Sequence, residues 1–272
     1  MNAHLTSIPL LTLSTLAVTL HGATVFEDDF NAGTTHWNAV SGYTSLSINT
    51  ANVFGTGDAL DGNVGTNSVN LLSTQFTQQT LNSIGDSISI SFDYTWNGSS
   101  GASDRNPTFG LYSSEGTLTD YTDDVGYNIQ VITASDPDSY RYYQDVNTDD
   151  NPLTGGTETQ IDSSQNFNYD GTPRNFTLTL ERIADTNSDS LDDLSISFSV
   201  TDPNNASNNA SSAVVATNVV TFSYDEFLLR SRATNFYMDN VIVTSSIPEP
   251  GSFALIGGSL ALGIVSLRRK RR

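Results

Sequence analysis

Carboxylates are the reactive groups this chain has in number. Its 272 residues include 30 Asp and Glu against 11 Lys and Arg. One placement suits a hard cation. Asp28 is in strand phase with Phe26 and Phe30, and Asp239 with Val241 and Val243, so each carboxylate turns the way its apolar neighbours turn. A carboxylate buried bare is costly and needs a partner. If the two strands adjoin, Glu27, Asp28 and Asp239 can supply oxygens to one structural Ca²⁺, helped by backbone carbonyls. The alternative is that strand ends or bulges leave them solvated. A second placement, "DTNSDSLDD", sets Asp185, Asn187, Asp189 and Asp193 at positions 1, 3, 5 and 9 of an EF-hand loop. Ser190 stands where that loop requires Gly and Ile196 where it requires Glu, with strand patterns on both sides. It reads as a hydrophilic hairpin turn.

Aromatic rings are the other candidate. "SYRYYQD" puts Tyr140 and Tyr142 on one face of a strand and Arg141 and Tyr143 on the other. Tyr140 and Tyr142 are candidate sugar-stacking rings, with core packing the competing use of Tyr at strand spacing. Other chemistries are thinly supplied. The absence of Cys excludes disulfides, thiolate metal sites and cysteine nucleophiles. His4 and His21 lie near the N-terminus, so a Ser-His-Asp triad would have to use His36. Between Thr24 and Ser245 there are five glutamates, Glu27, Glu115, Glu158, Glu181 and Glu226. None sits in the Glu-x-Asp-x-x-Glu pattern by which sandwich glucanases resemble one another, and no acid–base pair is evident for glycoside hydrolysis.

The charges are segregated. Thr24–Ser245 carries 29 acidic and six basic residues, a formal charge of −23. The other five cations, Arg268, Arg269, Lys270, Arg271 and Arg272, stand together at the C-terminus. A body this negative repels nucleic-acid phosphates and anionic lipid headgroups, which excludes both as expected partners. Divalent cations and polycations are compatible with it.

The elements that position these groups are strands. "SISISFDYTW" puts Ile88, Ile90, Phe92, Tyr94 and Trp96 on one face. "NFTLTLER" does the same for Phe176, Leu178 and Leu180, and "LSISFSVT" for Leu194, Ile196, Phe198 and Val200. Further strand patterns include "TSLSINT", "SVNLLST", "TFGLYSS", "YNIQVITA" and "VVATNVVTFSY", separated by turn-rich runs such as "DPNNASNNASS". "FTLTLERIADTNSDSLDDLSISFSV" reads as a long hairpin with an acidic connection. No long segment between the termini has helical periodicity. About ten to twelve half-polar strands predict an all-β antiparallel sandwich, because each sheet needs a second one to bury its apolar face.

The two ends differ from this body. Ile8–Leu20 is a 13-residue run suited to the hydrophobic region of a secretory leader, with Gly22 and Ala23 offering a cleavage point. Ser252–Leu267 is 16 residues without a charge. As a helix it covers about 24 Å, short of a hydrocarbon core of about 30 Å. The five cations that follow act as a stop on the cytoplasmic side. Pro248 and Pro250 hold Glu249 in a stiff, extended backbone, a shape suited to a protease groove. This combination, "IPEPGSFALIGGSLALGIVSLRRKRR", resembles the PEP-CTERM sorting signal of Gram-negative bacteria, with Ile247 where Val is usual. The resemblance implies that Pro248, Glu249 and Pro250 are recognised by an exosortase. The tail is then removed, and the protein passes from transient residence in the inner membrane to the cell surface or exopolysaccharide matrix.

The expected organisation is therefore a signal peptide over 1–23, a sandwich domain over 24–245 and a sorting signal over 246–272. "VFEDDF" and "NFYMDNVIVTS" resemble the opening and closing strands of concanavalin A-like and laminin-G-like jelly rolls. That resemblance implies neighbouring first and last strands, a structural calcium near them and carbohydrate binding. The expectation is an exported, non-catalytic protein that binds polysaccharide or serves as a structural component. The alternative is a secreted polysaccharide hydrolase of the same sandwich type.

Overall fold

The computed structural model describes residues 22–41, 43–55, 57–64, 69–97, 107–114, 123–132, 138–146, 159–167, 172–232 and 235–247. In chain order the strands are β1 (Ala23–Asp28), β2 (Asn38–Ser41), β3 (Tyr43–Asn49), β4 (Ala59–Val64) and β5 (Val69–Thr80). They continue as β6 (Ser87–Asn97), β7 (Thr108–Ser113), β8 (Val125–Ile132), β9 (Asp138–Asp145) and β10 (Thr159–Phe167). The last five are β11 (Arg174–Ile183), β12 (Asp193–Thr201), β13 (Ala210–Ala216), β14 (Ser223–Arg232) and β15 (Asn235–Ser245). Among the described residues the one helical element is a single 3₁₀ turn, Ala206–Asn208.

All pairings are antiparallel and fall into two sheets. One has eight strands in the order β13-β12-β11-β6-β15-β4-β3, with β1 also on β15. The other has seven, β10-β9-β8-β7-β14-β5-β2. The fold is thus the expected all-β sandwich. Period-two alternation survives as burial: Ile88, Ile90, Phe92 and Tyr94 of β6 are sealed, as are Phe176, Leu178 and Leu180 of β11 and the matching residues of β12. At the centre Phe92, Phe109, Phe176, Phe198 and Phe227 meet at ring separations of 4.9–5.9 Å. Burying each such ring contributes about 1.5–3 kcal/mol relative to exposure, so this cluster is the main adhesive between the sheets.

The acidic hairpin forms as expected, with β11 and β12 paired from Asn175↔Thr201 to Ile183↔Asp193. Asp185 accepts from the amides of Asn187, Ser188 and Ser190, and this holds its carboxyl below the ordinary range, the Ser190 amide most of all. The carboxylate serves its own turn, where Ser188 and Ser190 adopt positive φ.

Some strand expectations are corrected. "VVATNVVTFSY" is not one strand: β13 ends at Ala216, and β14 starts in the other sheet at Ser223. The strands β2, β4 and β10, and most of β14, had no clear signal. β4 reads "ALDGNV" and β10 "TQIDSSQNF", both poor in β-formers. β14 is buried on both faces, so alternation fails there. β1 begins at Ala23, the last residue of the expected leader. Residues 1–21 and 248–272, which hold all but the last two residues of the expected leader, Pro248, Glu249, Pro250 and the terminal cations, lie outside the described residues. Among those described, no helix is long and apolar enough to cross a membrane.

Candidate functional site

The outer face of the seven-stranded sheet gathers polar side chains in transverse rows. Strand register sets Arg230, Thr108, Gln130 and Arg141 side by side across β14, β7, β8 and β9. The next row is Ser73, Leu228, Gly110, Asn128, Tyr143 and Gln160. A third is Gln75, Glu226, Tyr112, Gly126 and Asp145. The face is therefore polarised, with arginines at one end and carboxylates at the other. It is open over β8–β10, where Arg141 and Gln160 are exposed and Gln130 and Tyr143 half-buried. Over β5, β14 and β7 it is closed, and Ser73, Leu228, Glu226 and Tyr112 are inaccessible.

Two glycines shape its centre. A Cβ on Gly110 would stand 2.2 Å from the Tyr127 carbonyl oxygen and 2.8 Å from the Tyr112 ring. One on Gly126 would stand 2.4 Å from the Leu111 oxygen and 2.7 Å from the same ring. Glycine two residues earlier on β7 and directly opposite on β8 lets Tyr112 lie down on the sheet, where its hydroxyl accepts a 2.8 Å hydrogen bond from Asn128 Nδ2.

At the acidic end, a register shift in β14 between Tyr224 and Glu226 interrupts the alternation at Asp225. Asp225 accepts from the Ser114 amide at 2.8 Å and the Ser114 hydroxyl at 3.1 Å. Asp123 and Asp124 immediately precede β8. Glu226 and Asp124 are 0% and 1% exposed, and their carboxyl groups lie against each other. Burial pushes both far above the ordinary carboxylate range, and the charges of Asp123, Asp145 and Asp225 push Asp124 further. Burial therefore favours the protonated form of each, and a charge on either one works against a charge on the other. The Ser73 hydroxyl eases the charge on Glu226 but completes no hydrogen bond to it.

The residues expected to do chemistry lie elsewhere. β1 does pair with β15, with Asp28 opposite Val241 and Glu27 opposite Ile242. Asp28 turns inward, but its oxygens are occupied: Oδ1 accepts from the Phe30 amide and Oδ2 from Trp37 Nε1, each at 2.8 Å, with His36 Nδ1 3.5 Å away. Glu27 is exposed. Asp239 stands opposite Asp93, because a bulge sets two residues, Asn240 and Val241, against the single Phe92. Its numerical phase with Val241 therefore does not carry across, and its Oδ1 accepts from the Asn240 amide at 2.8 Å. The three carboxylates do not converge; among the described residues no three His, Asp or Glu side chains close around one point.

The tyrosines are corrected as well. Tyr140 and Tyr142 are core residues at 0% and 2% exposure, packed edge-to-face on each other, with Tyr140 also edge-on to Phe198. Their neighbours Arg141 and Tyr143 are the ones that face outward. The alternation was legible in "SYRYYQD", but which face met the core was not. The approach of Asp124 to Glu226 across about a hundred residues left no signal in the sequence.

No family model matches the chain, and no curated protein matches it. Solved structures do. The alginate lyase vAL-1 from Chlorella virus superposes with a TM-score of 0.52 at 12% identity, over 82% of this chain and 99% of that one. The endo-1,3-β-glucanase from Streptomyces sioyaensis gives 0.51 at 14% identity, over 83% and 97%. The marine PL-14 alginate lyase from Aplysia kurodai gives 0.50 at 11%, over 81% and 98%. At these identities the likeness is one of fold, and it identifies the sandwich as a jelly roll.

Proposed function

We propose that this chain is an exported surface or extracellular-matrix protein, sorted by an exosortase, that binds polysaccharide on the outer face of its seven-stranded sheet. The observation that carries the binding reading is the open patch over β8–β10. There Gln130, Arg141, Tyr143 and Gln160 sit on adjacent strands, with Tyr143 Oη 3.4 Å from Gln130 Oε1. Amide and guanidinium groups match sugar hydroxyls, and a half-buried ring matches an apolar sugar face. The polysaccharide-acting enzymes named above support a carbohydrate reading at the level of fold. The sorting reading rests on Pro248, Glu249, Pro250, the uncharged stretch after them and the closing cations Arg268–Arg272. The location it implies is the outside of a Gram-negative cell, after transient passage through the inner membrane.

The hydrolase alternative draws no support from Asp124 and Glu226. A retaining pair stands about 5–5.5 Å apart with the substrate between. These two are in contact and shut from solvent.

The test is affinity for the producer's own exopolysaccharide. The wild-type chain is retained on it, and Arg141→Ala with Tyr143→Ala weakens binding about tenfold or more, a loss of about 1.4 kcal/mol. A wild-type chain with no affinity would leave only a structural role.

A further inference from the structure

Asp123, Asp124 and Glu226 present five buried carboxylate oxygens that complete no hydrogen bond: Asp123 Oδ1 and both oxygens of Asp124 and of Glu226. Buried acceptors of this kind are otherwise satisfied almost everywhere in folded proteins. The nearby Ser114 amide and hydroxyl both go to Asp225. Asp225 and Asp145 add two more negative groups to the field at Asp124. The arginines of β14, Arg230 and Arg232, stand at its far end, the nearer four residues from Glu226 and about 13 Å along the strand. Elsewhere Arg174 and Arg182 are committed to Asp202 and Asp192. Protonation supplies at most one donor each on Asp124 and Glu226 and leaves the other lone pairs of the cluster without one. A cation answers all of them together.

We propose that Asp123, Asp124 and Glu226 bind one divalent cation, Ca²⁺ by the all-oxygen character of the set, where the residues leading into β8 come up to Glu226 of β14, two strands away in the sheet. Calcium accepts six to eight oxygens in flexible geometry, so backbone carbonyls and waters can complete the shell. The structure has two of the carboxyl groups in contact and the third on the adjoining residue, and binding draws them around one point by side-chain rotation. The ion displaces the protons that burial favours on Asp124 and Glu226 and ties the start of β8 to β14 across the sheet. This site is separate from Asp28 and Asp239, which have donors of their own, and it does not depend on the polysaccharide reading.

Thermal unfolding of the full chain in CaCl₂ and in EDTA tests it. Calcium a hundredfold above its Kd should raise Tm by about 5–10 °C, and EDTA should reverse the rise. Glu226→Gln and Asp124→Asn, close in shape to the wild type, should abolish the calcium response. Direct calorimetric titration of wild type with CaCl₂ should give one site, independently of whether the variants fold. No heat and no Tm change in wild type would overturn the proposal. So would a calcium response that survives Glu226→Gln and Asp124→Asn, or one that is lost only in Asp239→Asn, which would locate the ion beside β1 and β15.

Discussion

Asp28 illustrates how a single buried carboxylate is used here. It joins β1 to the loop that returns at β2 by accepting from Phe30 and Trp37, and it holds Phe30 at φ 58°, a region costly for a side chain of that size. Trp37 in turn packs against Phe30 and Phe227 at 5.5 and 6.0 Å. Asp28→Ala leaves the indole N–H without its acceptor, and should lower stability by about 1–3 kcal/mol in urea denaturation. Trp37→Phe removes the donor, so the double variant should lose less than the sum of the two single losses. Additive losses would mean that the hydrogen bond contributes nothing.

At the scale of elements, the seven-stranded sheet is buried on both faces over β7 and β14. That is why its strands lack clean alternation, and why glycine rather than a β-former occurs on β7 and β8. Gly110 admits the Tyr112 ring on one side and the Tyr127 carbonyl on the other, at distances no real Cβ tolerates. Gly110→Ala must push one of them away. The expected cost is at least about 1–3 kcal/mol, read as a lower midpoint in chemical denaturation at unchanged m-value. An unaltered midpoint would show that β7 and β8 can separate freely. The same logic governs β15, where Asn240 at φ 51° makes the bulge that takes Asp239 out of the phase of Val241.

For the whole molecule, the −23 charge between Thr24 and Ser245 and the cationic cluster at the end are segregated along the chain. A body of that charge favours solubility and repels polyanions such as nucleic acid. Under the sorting proposal, the cluster would hold the uncharged stretch at the cytoplasmic face until the chain is cut. Mass spectrometry of protein recovered from producing cells should find Arg268–Arg272 missing, and Glu249→Ala should leave them attached and the protein in the membrane fraction. Wild-type mature protein that keeps these arginines would end the sorting proposal, with only the N-terminal leader left to argue for export.

What the amino-acid sequence determined by itself was local. Alternation of Ile88 to Trp96 and of Phe176 to Leu180 requires strands, and half-polar strands require a second sheet, because apolar area must leave water on one side. The acidic hairpin could likewise be read in advance, while the pairing of β1 with β15 was implied only by the resemblance to jelly-roll strands. Only the tertiary structure decided the rest. Period two leaves the choice of face open, so Tyr140 and Tyr142 fell to the core and Arg141 and Tyr143 to the surface. A bulge costs one residue and reverses every later position, which separated Asp239 from Asp28. The meeting of Asp124 with Glu226 comes from strand order, since two residues far apart in the chain become neighbours only when their strands take places in one sheet.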